Sequence, residues 1–231
     1  MMDRLIFSSI LTRSQQELSK DLSTLLSDEK FSDVEITCGE RTFSCHKNIL
    51  SARSPVFKAM FQADMKETAS GKVEIKDYSP DVIQQMIRYI YSSRPFDETD
   101  VEDREQIMEL LRAADQYKLD LLKEACEAKL SESLNVNNCL LSLIMGDIYN
   151  AKGLRRCSMK MLVEKMNKKL LMECPDDWTK CTKMHPDLIV EITKEFFKAW
   201  GMEGKIWEMN IKHPSDADAM QWFRLLKIFA K

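Results

Sequence analysis

The chain has 231 residues, 44% hydrophobic and 31% charged, which is typical of a globular protein with one large domain or two small ones. Its formal net charge of −3 comes from interspersed acids and bases, which argues against nucleic-acid binding because that function needs a concentrated basic face. No apolar run approaches the roughly 20 residues of a membrane span.

The first predicted helix covers residues 15–30 and follows an N-terminal lead, residues 1–14. We read no signal peptide in the lead, because charged residues come early and no small-residue cleavage site follows. Leu18, Leu22 and Leu25 share one helical face at i, i+4 and i+7. A helix this short is only marginally stable alone in water. Its leucine face therefore needs an apolar surface to pack against. Either its own domain or a second subunit would provide one.

Within residues 31–61 the spacing of apolar residues changes from the two-residue period of a strand to that of a helix. Val34, Ile36 and Cys38 alternate with polar residues, which predicts a strand, and residues 42–45 are predicted to return as the second strand of a hairpin. Apolar residues then recur at helical spacing. Ser54-Pro55 divides this part into two short helices, because proline suits a first helical position and serine a cap.

The same stretch carries a family resemblance. FSDVEIT, followed by F-S-C-HK-x-IL-x-ARSPVFKAMF, resembles the opening of a BTB (POZ) domain, most of all in the speckle-type POZ protein group. Because the motif is long and ordered, chance explains it poorly. The matching positions are Phe31, Asp33, Phe43, His46, Lys47, Leu50, Ser54, Phe57, Met60 and Phe61.

The chain to residue 130 completes an α+β pattern. A polar loop, residues 62–71, leads to a predicted strand at 72–76, and Ser79-Pro80 opens a helix that should end before Pro95. The expected buried stripe of this helix consists of Val82, Ile83, Met86, Ile87, Ile90 and Tyr91. Two further helices are predicted up to residue 130. AADQYKLDLLKEACEAKL, at residues 113–130, also resembles the BTB pattern, so we predict a BTB/POZ fold, a small sheet flanked by helices, over residues 15–130.

Residues 131–200 have an all-helical pattern. Asn135 is predicted to cap a helix whose apolar face includes Val136 and Ile148, and a further helix follows His185-Pro186. This segment resembles, more loosely, the BACK-like region that follows BTB domains. Residues 201–231 match nothing we recognise, but residues 216–231 have an amphipathic pattern. They would either cap the helical region, the simpler interpretation, or bind a partner.

The sequence contains no dinucleotide-binding, P-loop, nucleophile-elbow or zinc-protease motif, so we expect neither an enzyme nor a cofactor. Cys174, Cys181 and His185 fit no standard zinc spacing and lack a fourth ligand, so we expect no metal site. His46 is predicted to make structural hydrogen bonds. The seven cysteines include no CxxC pair and indicate buried free thiols in a reducing, intracellular compartment, nuclear or cytoplasmic.

The resemblance implies a homodimer in which the first helix docks on the partner subunit. Asp33 and Lys47 would then lie in a charged pocket at the interface, where losing one charge would leave the other stranded. Taken without the resemblance, the pair is a solvent-screened surface pair of little energetic value. The expected interface residues are Leu18, Leu22, Leu25, Asp33, Lys47 and Ile49.

The resemblance also implies a contact with cullin-3. Met65 and Glu67 match the hydrophobic-x-Glu element in the loop before the next strand, where methionine would enter a pocket on the cullin helices. Tyr117 would add to this surface. The chain would then be an adaptor in a RING ubiquitin ligase, holding an unidentified substrate protein.

One departure from the group bears on substrate binding. Its members carry a MATH domain before the BTB domain, and too few residues precede Gln15 to form one. The alternative function is therefore a non-ligase oligomerisation scaffold, or a modulator that dimerises with full-length relatives.

Overall fold

The computed structural model describes residues 2–62, 71–96, 103–165 and 175–199, without the side chains of residues 2–6, 175–177 and 179. The chain divides into two compact units, Met1–Cys126 and Glu127–Lys231. The elements of the first unit are α1 (Met2–Asp28), β1 (Val34–Cys38), β2 (Arg41–Cys45), α2 (Lys47–Arg53), α3 (Pro55–Gln62), β3 (Lys72–Glu74), α4 (Pro80–Ser92) and α5 (Arg104–Gln116). Helix α6 (Asp120–Glu132) begins in this unit and ends in the next.

Within the described residues, the sheet has three strands in the order β2-β1-β3. The predicted hairpin is confirmed: β1 and β2 pair antiparallel with Ile36 opposite Phe43, and Gly39 at φ +57° supplies the turn conformation that favours glycine. Strand β3 pairs parallel to β1, with Val73 opposite Ile36. The α+β class predicted from the sequence is therefore correct.

Helices cover this sheet and form the first core. The predicted buried stripe of α4 is confirmed, from Val82 and Ile83 to Ile90 and Tyr91. Asp103 caps α5 by accepting a hydrogen bond from the Glu105 N–H at 3.0 Å. Other residues of this core are Ile36, Leu50, Phe57, Met86, Ile87, Leu110, Leu111 and Leu122.

Helix α1 differs from its prediction. It begins at Met2 and runs through the expected N-terminal lead, because no proline or glycine interrupts residues 2–14. The side chains of Phe7, Ile10 and Leu11 are exposed. The apolar residues in this part of the helix therefore do not form a buried face. The helix packs against α4, where the Ser19 hydroxyl donates a hydrogen bond to the Ser92 carbonyl at 2.6 Å.

Every regular element in the described residues of the second unit is a helix. Its elements after α6 are α7 (Cys139–Ile148), α8 (Lys152–Lys165), α9 (Pro175–Met184) and α10 (Pro186–Ala199). Its core consists of Cys139, Leu140, Leu143, Met159, Leu162, Val163, Trp178, Cys181, Leu188, Ile189, Val190, Ile192, Phe196 and Phe197.

The first helix wholly inside this unit corrects the sequence prediction in two ways. Residues 136–138 form a turn, and Asn138 rather than Asn135 takes the N-cap position of α7. Val136 and Ile148, expected on the buried face, are exposed, Ile148 by 52%. Cys139, Leu140 and Leu143, which were expected on the same face, are buried as predicted.

Candidate protein-interaction site

Helix α1 presents its leucines only partly to its own unit. The Leu18 side chain is 60% exposed, and Leu22 and Leu25 are half-buried. Packing within the unit therefore leaves apolar surface on the face that the sequence assigned to a dimer interface. The structure places these leucines together but does not test whether a second subunit covers them.

The Asp33 carboxylate lies at the start of α2. Its Oδ1 accepts a hydrogen bond from the Lys47 backbone N–H at 2.7 Å, so it satisfies an N–H that the helix leaves unpaired. The Lys47 ammonium lies 5.9 Å from the centre of the Phe61 ring. Asp33 is exposed, so within this unit the expected burial of both charges together is not seen. Ile49, two residues after Lys47 on α2, is half-buried.

His46 fixes the link between α1 and β1. Its Nε2 lies 2.7 Å from the Lys30 carbonyl oxygen and its Nδ1 lies 2.8 Å from the Tyr91 hydroxyl, which also accepts a bond from the His46 N–H at 2.8 Å. With a neutral ring, Tyr91 donating to Nδ1 and Nε2–H donating to the carbonyl would satisfy every group. The predicted structural role of His46 is confirmed. Phe31, which follows the Lys30 carbonyl that His46 contacts, is 88% exposed and has φ +62°.

The predicted cullin-contact residues Met65 and Glu67 lie outside the described residues. The structure does show what precedes and follows residues 63–70. Helix α3 ends at Gln62, and Gly71 has φ +65°, with its carbonyl accepting a hydrogen bond from the Glu35 N–H at 2.8 Å. The chain on both sides of residues 63–70 therefore belongs to elements that the core holds in place.

Tyr117, the third predicted cullin-contact residue, is buried within the first unit. Its side chain is 4% exposed and stacks on Phe57, with ring centres 4.8 Å apart. The Ser54 hydroxyl donates to the Tyr117 carbonyl at 2.7 Å. Burial raises the pKa of the Tyr117 hydroxyl to about 12. A direct contact between Tyr117 and a partner stays a prediction, and its burial in this unit argues for an indirect role.

A buried carboxylate in the second unit was not recognised in the sequence. Glu127, on α6, is 8% exposed, and its Oε2 accepts hydrogen bonds from the backbone N–H groups of Gly153 at 2.6 Å and Leu154 at 3.2 Å. It therefore caps the first turn of α8 and places negative charge at the positive end of the helix. The cap and the helix are 26 residues apart, so no local pattern reveals it.

Among the described residues, no group of three histidine, cysteine or acidic side chains is placed to hold a metal ion. Cys181, one of the three residues compared with zinc-ligand spacings, is buried. Its burial raises the pKa of its thiol to about 12, and the nearby Asp147 carboxylate contributes in the same direction. Cys174 lies outside the described residues. None of the helices that the structure describes is long and apolar enough to cross a membrane.

The comparison with family models agrees with the BTB/POZ part of the resemblance. A family model described as BTB/POZ domain matches residues 22–134. Protein maternal effect lethal 26 from Caenorhabditis elegans is 37% identical over 182 residues, which cover 78% of this chain and 44% of that protein. The chain thus spans less than half of that relative's length. The BTB domain of zebrafish PATZ1 is 25% identical, covering 53% of this chain and 95% of that domain, with a TM-score of 0.44.

Proposed function

The chain carries a BTB/POZ domain at residues 22–134, and we propose that it is a dimeric adaptor of the speckle-type POZ kind, which binds cullin-3 in a RING ubiquitin ligase and presents substrate proteins for ubiquitination. The observation that carries the proposal is this domain match. The 37% identity to the nematode protein extends over 78% of the chain and so beyond the domain.

The exposed leucine face of α1 supports a dimer. Full burial of a leucine side chain is worth about 1.5–3 kcal/mol, and Leu18 leaves most of that unrealised within its own unit. Leu22, Leu25 and Ile49 keep part of their surface free. A dimer would hold two ligase arms and two substrates together, which raises their effective concentration without further contacts.

Met65 and Glu67 are the proposed cullin-3 contact. An apolar anchor beside a charged group is how binding energy is usually concentrated in an interface. Both residues lie between α3 and β3, whose positions the sheet and core determine. The buried Tyr117–Phe57 stack joins the end of α5 to the start of α3, the helix that precedes residues 63–70.

The test is calorimetric titration with the cullin-3 N-terminal domain. We expect binding to the wild-type dimer at micromolar concentration or below, and no binding to the Met65→Asp, Glu67→Lys double variant. The matched control is Glu40→Lys with Met184→Asp, which makes the same two changes at exposed positions elsewhere.

The control must bind like the wild type, and light scattering must give a dimer mass for all three proteins. A wild-type protein that shows no binding would refute the ligase role. The alternative, a non-ligase scaffold or a modulator that dimerises with full-length relatives, would then stand.

A further inference from the structure

A groove of about 800 Å³ runs along α1 in the first unit. Helix α1 forms one wall, α4 forms the floor with the buried Ile87, and β2 forms the opposite wall. Its volume lies within the range of ligand-binding clefts, about 300–1,000 Å³.

The wall formed by β2 is the edge of a strand. Thr42, Phe43 and Ser44 all line the groove, although successive side chains of a strand point to opposite faces. Three consecutive residues line one groove when it follows the strand's edge. Within the described residues β2 pairs with β1 alone, so this edge has no neighbouring strand and its backbone groups are available to an extended chain.

The groove and the proposed dimer face lie on opposite sides of α1. At about 100° per residue, Lys20 is about 200° around the helix from Leu18 and from Leu22. Lys20 lines the groove, whereas Leu18 and Leu22 belong to the proposed dimer face. Covering the leucines with a second subunit therefore leaves the groove open.

The charges around the groove favour an anion. Four basic side chains line it, those of Arg13, Lys20, Arg88 and Arg94, against the two carboxylates of Glu17 and Glu29. Glu29 is already engaged at one end, where the Ser44 hydroxyl donates to its Oε2 at 3.3 Å. The basic majority selects a ligand that carries carboxylates.

We propose that this groove binds an extended acidic peptide, which adds a strand to the free edge of β2 and places its carboxylates against the basic wall. Backbone hydrogen bonds to β2 supply affinity, and the charges supply selectivity. The site gives the chain a means of capturing a segment of another protein, and it holds whether or not the chain binds cullin-3.

The test uses full-length protein and labelled hexapeptides in fluorescence polarisation. The probe alternates valine and glutamate, and its counterpart alternates valine and lysine. Two further versions of the acidic probe carry N-methyl groups at odd or at even residues. We expect binding of the acidic probe, at least tenfold weaker binding of the lysine peptide, and about tenfold loss for the methylated version whose blocked amides face β2.

Two variants place the binding in the groove. Ser23→Leu fills the groove from α1, and its matched control is Thr24→Leu, whose residue lies outside the lining; both lose a hydroxyl bond to the carbonyl four residues earlier. Arg94→Glu removes basic charge, with the exposed Lys194→Glu as control. We expect at least fivefold loss for Ser23→Leu and Arg94→Glu and no change for the controls.

The comparisons between peptide probes use the wild-type protein, so they do not depend on whether a variant folds. No binding of the acidic probe at about 1 mM, equal binding of the lysine peptide, or equal binding of both methylated versions would overturn the proposal. Unchanged binding by a folded Ser23→Leu protein would place the peptide elsewhere and would also overturn it.

Discussion

The Glu127 cap makes a quantitative prediction about the second unit. Its carboxylate satisfies the N–H groups of Gly153 and Leu154, and hydrogen bonds to a charged group are worth about 1.5–3 kcal/mol each. Because the two bonds share one oxygen, we expect Glu127→Ala to lower the free energy of unfolding by about 2–4 kcal/mol. Glu127→Gln keeps an acceptor oxygen without the charge and should cost about 1 kcal/mol.

Gly153 sharpens the prediction through a double-mutant cycle. A Cβ at this position would lie 2.7 Å from Glu127 Oε2, so Gly153→Ala must push the carboxylate off the helix terminus. We expect a cost of about 1–2 kcal/mol in the wild type. In the Glu127→Ala background the clash is gone and alanine favours the helix, so Gly153→Ala should be neutral or stabilising by a few tenths of a kcal/mol, roughly.

The assay is urea unfolding followed by tryptophan fluorescence. All four tryptophans lie after residue 127, and Trp178 is in the core of the second unit, so the signal reports on this part of the chain. Glu124→Ala is the control, because Glu124 is exposed on the same helix. If Gly153→Ala costs the same in both backgrounds, within about 0.5 kcal/mol, the proposed cap does not exist.

Two further predictions follow from burial. Leu22→Asp should give a monomer in light scattering, with an unchanged circular dichroism spectrum. Thr24→Asp, at an exposed position of the same helix, should stay dimeric. A dimer formed by the Leu22→Asp protein would refute the proposed interface. Burial raises the pKa of the Cys45 and Cys181 thiols to about 12, so at pH 8 only about one in ten thousand is ionised. Iodoacetamide should therefore modify the half-exposed Cys157 and spare both, as read by peptide mass spectrometry; native-state labelling of Cys45 would contradict its burial.

Elements with a local period were predictable from the sequence. The hairpin alternates at two residues and the buried stripe of α4 repeats at helical spacing, and both have the predicted form. Helix α9 was missed, although Pro175 at its start and the buried Trp178 and Cys181, three residues apart, are its signal. The parallel pairing of β3 with β1 depends on residues nearly forty positions apart, so no local pattern contains it.

Only those residues of the interaction site that belong to a sequence motif were predictable. Asp33 and Lys47 lie close together, but the Asp33 carboxylate accepts a hydrogen bond from the Lys47 backbone N–H, which a reading of side-chain charges does not anticipate. The charged pocket at a dimer interface stays a prediction. The Glu127 cap and the groove beside β2 arise from tertiary packing between distant segments. Such features leave no period in the sequence.

The two opposite faces of α1 constrain how the helix can change in evolution. Inserting or deleting one residue before Leu18 shifts everything upstream by about 100°, which would turn Arg13 away from the groove. An insertion or deletion of about seven residues, close to two turns, keeps both faces aligned. A chain that uses both proposed faces should therefore vary in α1 mainly by exchange of residues or by whole pairs of turns.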